Sequence, residues 1–273
     1  MRRHLRTFCA MALLLVAARV SGTEDRHIVI SDQLVRTAEQ LPVDIGTSGK
    51  RFKMNFGDYT IRDSKNGMVK SKSRSNLLGT QSSSTTTYGF SFVLGNKTTE
   101  LASVEALSNS SAEGLHSLET SIGAHLSIAL GRDALVRQNA FSATVSVTGD
   151  DEDIWLLLMR SRDEIERGDQ AGYAGEATLT NGTRTIRIIS ARSKTDGNDS
   201  GSLPAAGVEF IEGDRSLCAV QFSGGGLLGG AHKKFVWIDP ALDPRLKLVL
   251  AAASAALLQF DRTKSVFAAL GAG

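Results

Sequence analysis

Three stretches of the chain bring together residues that could do chemistry. Gly224-Gly-Gly-Leu-Leu-Gly-Gly-Ala-His-Lys-Lys has the glycine density of a phosphate cradle. A nucleotide loop needs Gly-x-x-x-x-Gly-Lys-Ser/Thr between a strand and a helix, so that backbone N–H groups and a helix N-terminus face phosphate. That Gly-Lys-Ser/Thr ending is missing here and strand-like sequence follows, so the stretch reads as a flexible connection, with ligand contact the minor alternative. Asp196-Gly-Asn-Asp-Ser-Gly201 matches the first half of a calcium loop. The twelfth position should be a bidentate Glu and is Gly207, so a solvated turn is the better reading. Lys70-Ser-Lys-Ser-Arg74 alternates cations with serines, which makes one face of a strand cationic. Lys70, Lys72 and Arg74 are thus candidates for contact with anionic lipid or another polyanion. A solubilising outer face is the plain alternative, since three charges supply little affinity at physiological salt.

Other chemistry is not signalled. His27, His116, His125 and His232 lack metal-ligand spacing, and no Gly-x-Ser-x-Gly elbow occurs. The acidic turn at Asp150 to Asp153 could hold a hard cation weakly, but charged turns are common. No catalytic residue, metal or cofactor is expected from the sequence. It leaves open whether the protein is an enzyme and favours a non-enzymatic one.

The N-terminus carries an address. Met-Arg-Arg-His-Leu-Arg is a basic start, Thr7 to Ala18 is an apolar core, and Val20-Ser-Gly22 ends it with small residues. This fits a secretory signal peptide over residues 1–22, with cleavage after Gly22 and export to the periplasm or the outside. Its removal takes four arginines and no acid, turning the net charge from +2 to about −2. The basic balance is therefore a targeting feature and not a footprint for nucleic acid. One cysteine, Cys218, would remain; it lies in Ser-Leu-Cys-Ala-Val-Gln-Phe, where alternation places it beside Val220 and Phe222 on a buried face. Sequons begin at Asn96, Asn109, Asn181 and Asn198 and matter only in a glycosylating secretory pathway.

Residues 23–273 read as a single β-rich domain. Phe52-Lys-Met-Asn-Phe alternates, and Gly57-Asp58 ends it. Asn66-Gly67 predicts a hairpin, with Met68 to Arg74 as the return strand. Residues 75–87 read as a loop or a solvated strand edge, and 108–114 as a loop. Residues 88–94, 140–148 and 216–222 read as strands, 207–214 as a strand and turn, 99–107 as strand or helix, and 115–135 is ambiguous. Ile154 to Met159 is continuously apolar, which suggests a strand covered on both faces. Asn181-Gly182 predicts a second hairpin. His27 to Arg36 is a strand or a short helix.

The end of the chain is the clearest signal. From Leu248 to Leu258 every residue except Ser254 is apolar, on all faces of a helix. Such a helix must be enclosed. Eleven residues fall short of the roughly 20 that span a bilayer, so no transmembrane helix is expected in the mature chain. Asp239-Pro and Asp243-Pro supply cap and first-turn residues for a helix over about 241–259. Asp261-Arg-Thr-Lys is expected to leave it for solvent. The fold expected is mainly β, a closed or nearly closed antiparallel β-barrel around a buried hydrophobic C-terminal α-helix.

The stretch Phe52 to Arg74, and above all Trp237-Ile-Asp-Pro-Ala-Leu-Asp-Pro-Arg-Leu-Lys-Leu-Val-Leu-Ala-Ala-Ala, resembles the tubby-like superfamily. That superfamily includes the tubby C-terminal domain, the plant LURP-one-related proteins and the phospholipid scramblases. The resemblance implies a closed barrel around one helix. It carries no catalytic motif, and the apparent export and the missing proline-rich N-terminus of scramblases bar any transfer of lipid activity. The functional expectation is an exported non-enzymatic protein that binds a partner or associates with the cell envelope, through lipid or protein. The alternatives are a secreted hydrolase with a site assembled from distant residues, or an anionic-lipid-interacting protein.

Overall fold

The computed structural model describes residues 27–48, 51–67, 70–75, 81–98, 100–115, 135–149, 153–164, 177–193, 205–224 and 233–270. After a short helix α1 (Asp32–Thr37) come β1 (Gln40–Pro42), β2 (Asp44–Ser48), β3 (Arg51–Phe56), β4 (Tyr59–Asn66), β5 (Lys70–Ser75), β6 (Gln81–Gly95) and β7 (Leu101–Leu115). Then follow β8 (Leu135–Val147), β9 (Ile154–Glu164), β10 (Ala177–Thr180), β11 (Thr185–Arg192), β12 (Ala206–Glu212), β13 (Arg215–Ser223), β14 (Phe235–Ile238) and the helix α2 (Pro244–Leu270).

All pairings are antiparallel, in the order β1-β14-β13-β12-β11-β10-β9-β8-β7-β6-β4-β3-β2, with β5 attached to β6 off this path. The two ends of the path are consecutive in the chain. Only Val43 separates β1, which pairs with β14, from β2, which pairs with β3. The sheet therefore bends round until one nearly continuous segment joins both of its edges, and Val43 N–H donates to Lys234 O at 3.0 Å across that junction. This is the nearly closed antiparallel barrel expected from the sequence.

α2 fills it. Every residue from Leu248 to Leu258 is at most 1% exposed. Small side chains at 251–253, 255 and 256 let the helix sit close to large wall residues, and Phe260 stacks on Phe141 of β8 with centroids 4.4 Å apart. Asp243 caps the helix: its Oδ2 accepts from the N–H groups of Arg245 and Leu246, and Pro244 takes the first position, where no N–H is needed. Asp239 closes the preceding turn by accepting from Ala241 N–H.

The helix departs from expectation at its far end. It continues through Asp261-Arg-Thr-Lys to Leu270, held by Lys234 Nζ on Asp261 Oδ2 at 3.0 Å and Thr263 Oγ1 on Phe260 O. Polar residues do not end a helix when wall groups meet them.

Three strand expectations also change. Asn66-Gly67 is not a hairpin. β4 and β5 both run antiparallel along β6, with Asn66 opposite Phe90 and Lys70 opposite Thr87, so the chain continues in one direction with one extra residue between them. Gly67 keeps a negative φ; its role is close approach, with its N–H donating to Gly89 O at 2.7 Å. The reversal falls instead between Ser75 and Gln81. Residues 108–114 are strand and not loop, because Ser- and Asn-rich β7 is paired on one side by β6 and on the other by β8, and pairing overrides local preference. β9 is covered on one face only: Trp155, Leu157 and Met159 point into the core, while Ile154 and Leu158 are 50% and 38% exposed. The Asn181-Gly182 hairpin does form, with Asn181 Oδ1 accepting from the N–H groups of Thr183 and Arg184.

His27 to Arg36 becomes an arm on the outside of the barrel. Ile28, Ile30 and Leu34 pack on Ala191, Ala205, Ala219 and Trp237. Ile28 N–H donates to Gln221 Oε1 at 3.1 Å, and Ser31 N–H to Glu209 Oε1 at 2.9 Å. This arm is why β13 is buried on both faces. Leu217 breaks the alternation of β13 and joins the interior core with Cys218, at a register shift between Phe210 and Ile211.

Candidate functional site

Lys70, Lys72 and Arg74 lie on β5, and the pleat puts them on one face at alternate positions. Directly opposite on β6 stand Thr87, Thr85 and Ser83. Every residue from Lys70 to Arg74 is exposed, the intervening Ser71 and Ser73 included. β5 is thus an edge strand open on both faces, and not part of the barrel wall as expected. Among the described residues the three cations have no carboxylate partner, so their charge faces solvent.

β3 lies beside β4 only as far as its first residues, Arg51 and Phe52. The two strands pair at Phe56 with Tyr59 and Asn55 with Thr60. Further along, the Ser64 hydroxyl replaces the ladder: it donates to Phe52 O at 2.6 Å and accepts Phe52 N–H at 2.9 Å. Beyond Ser64 the β4–β5 strand has β6 on one side and, among the described residues, no strand on the other.

Cys218 is fully buried, with Ser254 Oγ at 3.4 Å, and burial pushes its thiol up from 9.0 to about 12. It is no nucleophile at neutral pH. Asp153, at the edge of the acidic turn, accepts from Asn181 Nδ2 and faces Arg245, so it is tied into the structure. His27 Nδ1 meets Gln40 Nε2, and its ring packs edge-on against Phe235 and Trp237. The sequon at Asn96 lies in the turn after β6, where Asn96 Nδ2 donates to Glu100. Residues 225–232, the calcium-like loop at 196–201 with Asn198, Asp150 to Glu152, and His116, His125 and His232 lie outside the described residues, as does the side chain of Asn109.

One cluster was not foreseen. At the N-terminal end of α2, Arg184 forms a two-bond pair with Glu212 at 2.8 and 2.7 Å and sits 5.9 Å from the centre of the Trp155 ring. The Arg184 guanidinium holds the Glu212 carboxyl below its usual range. Nearby, Arg215 pairs with Asp239 at 2.6 Å. Burial raises the Asp239 carboxyl, but Ala241 N–H and Arg215 outweigh it and leave it lowered. These groups satisfy one another and clamp the barrel mouth. Partners 24 to 28 residues apart leave no local motif to find.

Two further observations bound the site. Among the described residues no three His, Cys, Asp or Glu converge as a metal site, and no helix is long and apolar enough to cross a membrane. On the outer wall a shallow depression of about 260 Å³ is lined by Glu105, Leu107, Ser142, Thr144 and Leu156. Comparison with protein-family models, with curated proteins and with solved structures gives no match.

Proposed function

We propose that the protein is an exported, non-enzymatic barrel that acts as a binding or envelope-associated protein through its outside. The observation that carries this reading is the occupied interior: the eleven residues from Leu248 to Leu258, at most 1% exposed, fill the space where a hollow barrel would hold a ligand. A partner then has the outer wall and the strand edges to meet. Of these, the row Lys70, Lys72 and Arg74 is the feature with a defined chemistry, and it suits an anionic partner. The barrel around one apolar helix also supports kinship with the tubby-like superfamily as the origin of the architecture.

Export and chemistry are tested directly. N-terminal sequencing of the exported chain is expected to begin near Thr23. Recovery of intact Met1 from the cytoplasmic fraction would contradict export. Turnover of ester, phosphoester, glycoside or peptide substrates by the purified protein would contradict the non-enzymatic reading in favour of a hydrolase.

A further inference from the structure

We propose that the open edge of β5 receives an extended acidic peptide, which adds to the sheet as a further strand. The proposal rests on the reading of the outside as the binding surface and names its partner class.

The backbone comes first. In an antiparallel strand the N–H and C=O groups of alternate residues point to opposite sides. β6 takes those on one side of β5, and on the other β3, which begins at Arg51 and is tied to Ser64 through Phe52, does not extend alongside β5. Among the described residues half of the backbone groups of β5 therefore have no strand partner, and they carry the spacing that an added strand would satisfy. Those bonds give affinity for an extended chain without reading its sequence.

The side chains then choose. Residues directly opposite across a strand pair share a face and sit close together. An added strand with Asp or Glu at every second position would place carboxylates against Lys70, Lys72 and Arg74. A second β5 would place cations against cations, which is unfavourable. The same row thus discourages self-pairing and favours an acidic occupant.

A bilayer fits less well. Ser71 and Ser73 occupy the other face of the strand, and among the described residues the exposed large apolar side chains, Val29, Val35, Leu107, Ile154, Leu158 and Ile189, lie on the outer arm and on β7, β9 and β11. Three exposed cations on a narrow ribbon attract a membrane weakly and are readily screened.

The test uses the full chain and an end-blocked octapeptide that alternates Thr and Glu. The controls are the same peptide N-methylated on one or the other alternate set of residues, a Thr/Lys version, and phosphatidylserine vesicles. Binding of the Glu peptide is expected to shift the amide signals of residues 70–75. One N-methylated series should lose binding while the other keeps it, because only one set faces β5. The variant K70E/K72E/R74E should bind the Glu peptide about tenfold more weakly, as the loss of three exposed ion pairs implies, and should now prefer the Lys peptide. Equal binding of both N-methylated series would show charge attraction without strand addition and overturn the proposal. So would shifts that map elsewhere, vesicle binding without peptide binding, or no binding at all. None of these bears on export, which N-terminal sequencing decides separately.

Discussion

Cys218 on the barrel wall and Ser254 on the central helix face each other at 3.4 Å, sulfur to oxygen. Ser254 also donates to Leu250 O at 2.7 Å, one turn back in its own helix. The one polar residue in the apolar run is thus satisfied by its helix and turned toward the one thiol of the wall. The pair marks where strand and helix meet, and it has consequences in alkali.

Burial pushes the Cys218 thiol up to about 12, and burial also pushes the Tyr59 hydroxyl from 10.0 to about 12. Both groups are neutral when folded, and ionise more readily in the unfolded chain. Their contribution to stability is complete below about pH 9 and is lost as pH rises toward about 12. Denaturant midpoints should therefore fall from about pH 9 upward, and less steeply in Cys218→Ala. A thiol reagent should leave the native protein untouched and label it fully once unfolded. Rapid labelling of the native chain without residues 1–22, where Cys218 is the one cysteine, would contradict its burial.

The outer arm depends on one carboxylate. Glu209 Oε1 accepts from Ser31 N–H at 2.9 Å and from Ser216 Oγ at 2.5 Å. Glu209→Ala leaves two donors unmet in a buried place and should cost about 1–3 kcal/mol. Hydrogen exchange should accelerate over residues 28–34, while β7 and β8 stay protected. Unchanged protection of the arm would mean that apolar packing by Ile28, Ile30 and Leu34 holds it without Glu209.

Gly67 is required for space. A methyl group there would fall on the carbonyl oxygen of Gly89 on the paired strand. Gly67→Ala should lower stability by about 1–3 kcal/mol through backbone displacement. At Gly46 the nearest atom is Lys53 Cβ at 3.9 Å, an ordinary contact. Gly46→Ala should leave the melting temperature near wild type, and equal effects at the two sites would contradict the bulge between β4 and β5.

The elements that alternate or run apolar on all sides were legible in the sequence, because burial writes itself into side-chain type at local spacing. Phe52-Lys-Met-Asn-Phe and Leu248 to Leu258 show this. What depends on distant partners was not. Asn66-Gly67 has the composition of a turn, yet Gly89, 22 residues on, uses the glycine for close contact. Ser108 to Gly114 has loop composition and becomes strand because β6 and β8 flank it. The arm reaches Glu209 and Gln221 across 178 and 193 residues, and no local pattern announces that. The candidate site was half visible: alternation placed Lys70, Lys72 and Arg74 on one face, but that β5 pairs with β6 alone among the described residues follows from where β3 begins, at Arg51.

The central claim is that α2 fills the barrel, which sends any partner to the outside. Aspartate placed singly at Val249, Leu250, Ala252 and Ala255 tests it most directly. These residues point to different sides of the helix, at about 100° per residue, and all are at most 1% exposed. Each variant buries an unpaired carboxylate, at a cost of several kcal/mol against a total stability of about 5–15 kcal/mol. The account predicts that all four lose most of their soluble folded protein, or melt far below wild type. Wild-type melting temperatures in any two of them would mean that one side of the helix is open to water, and would contradict the filled barrel.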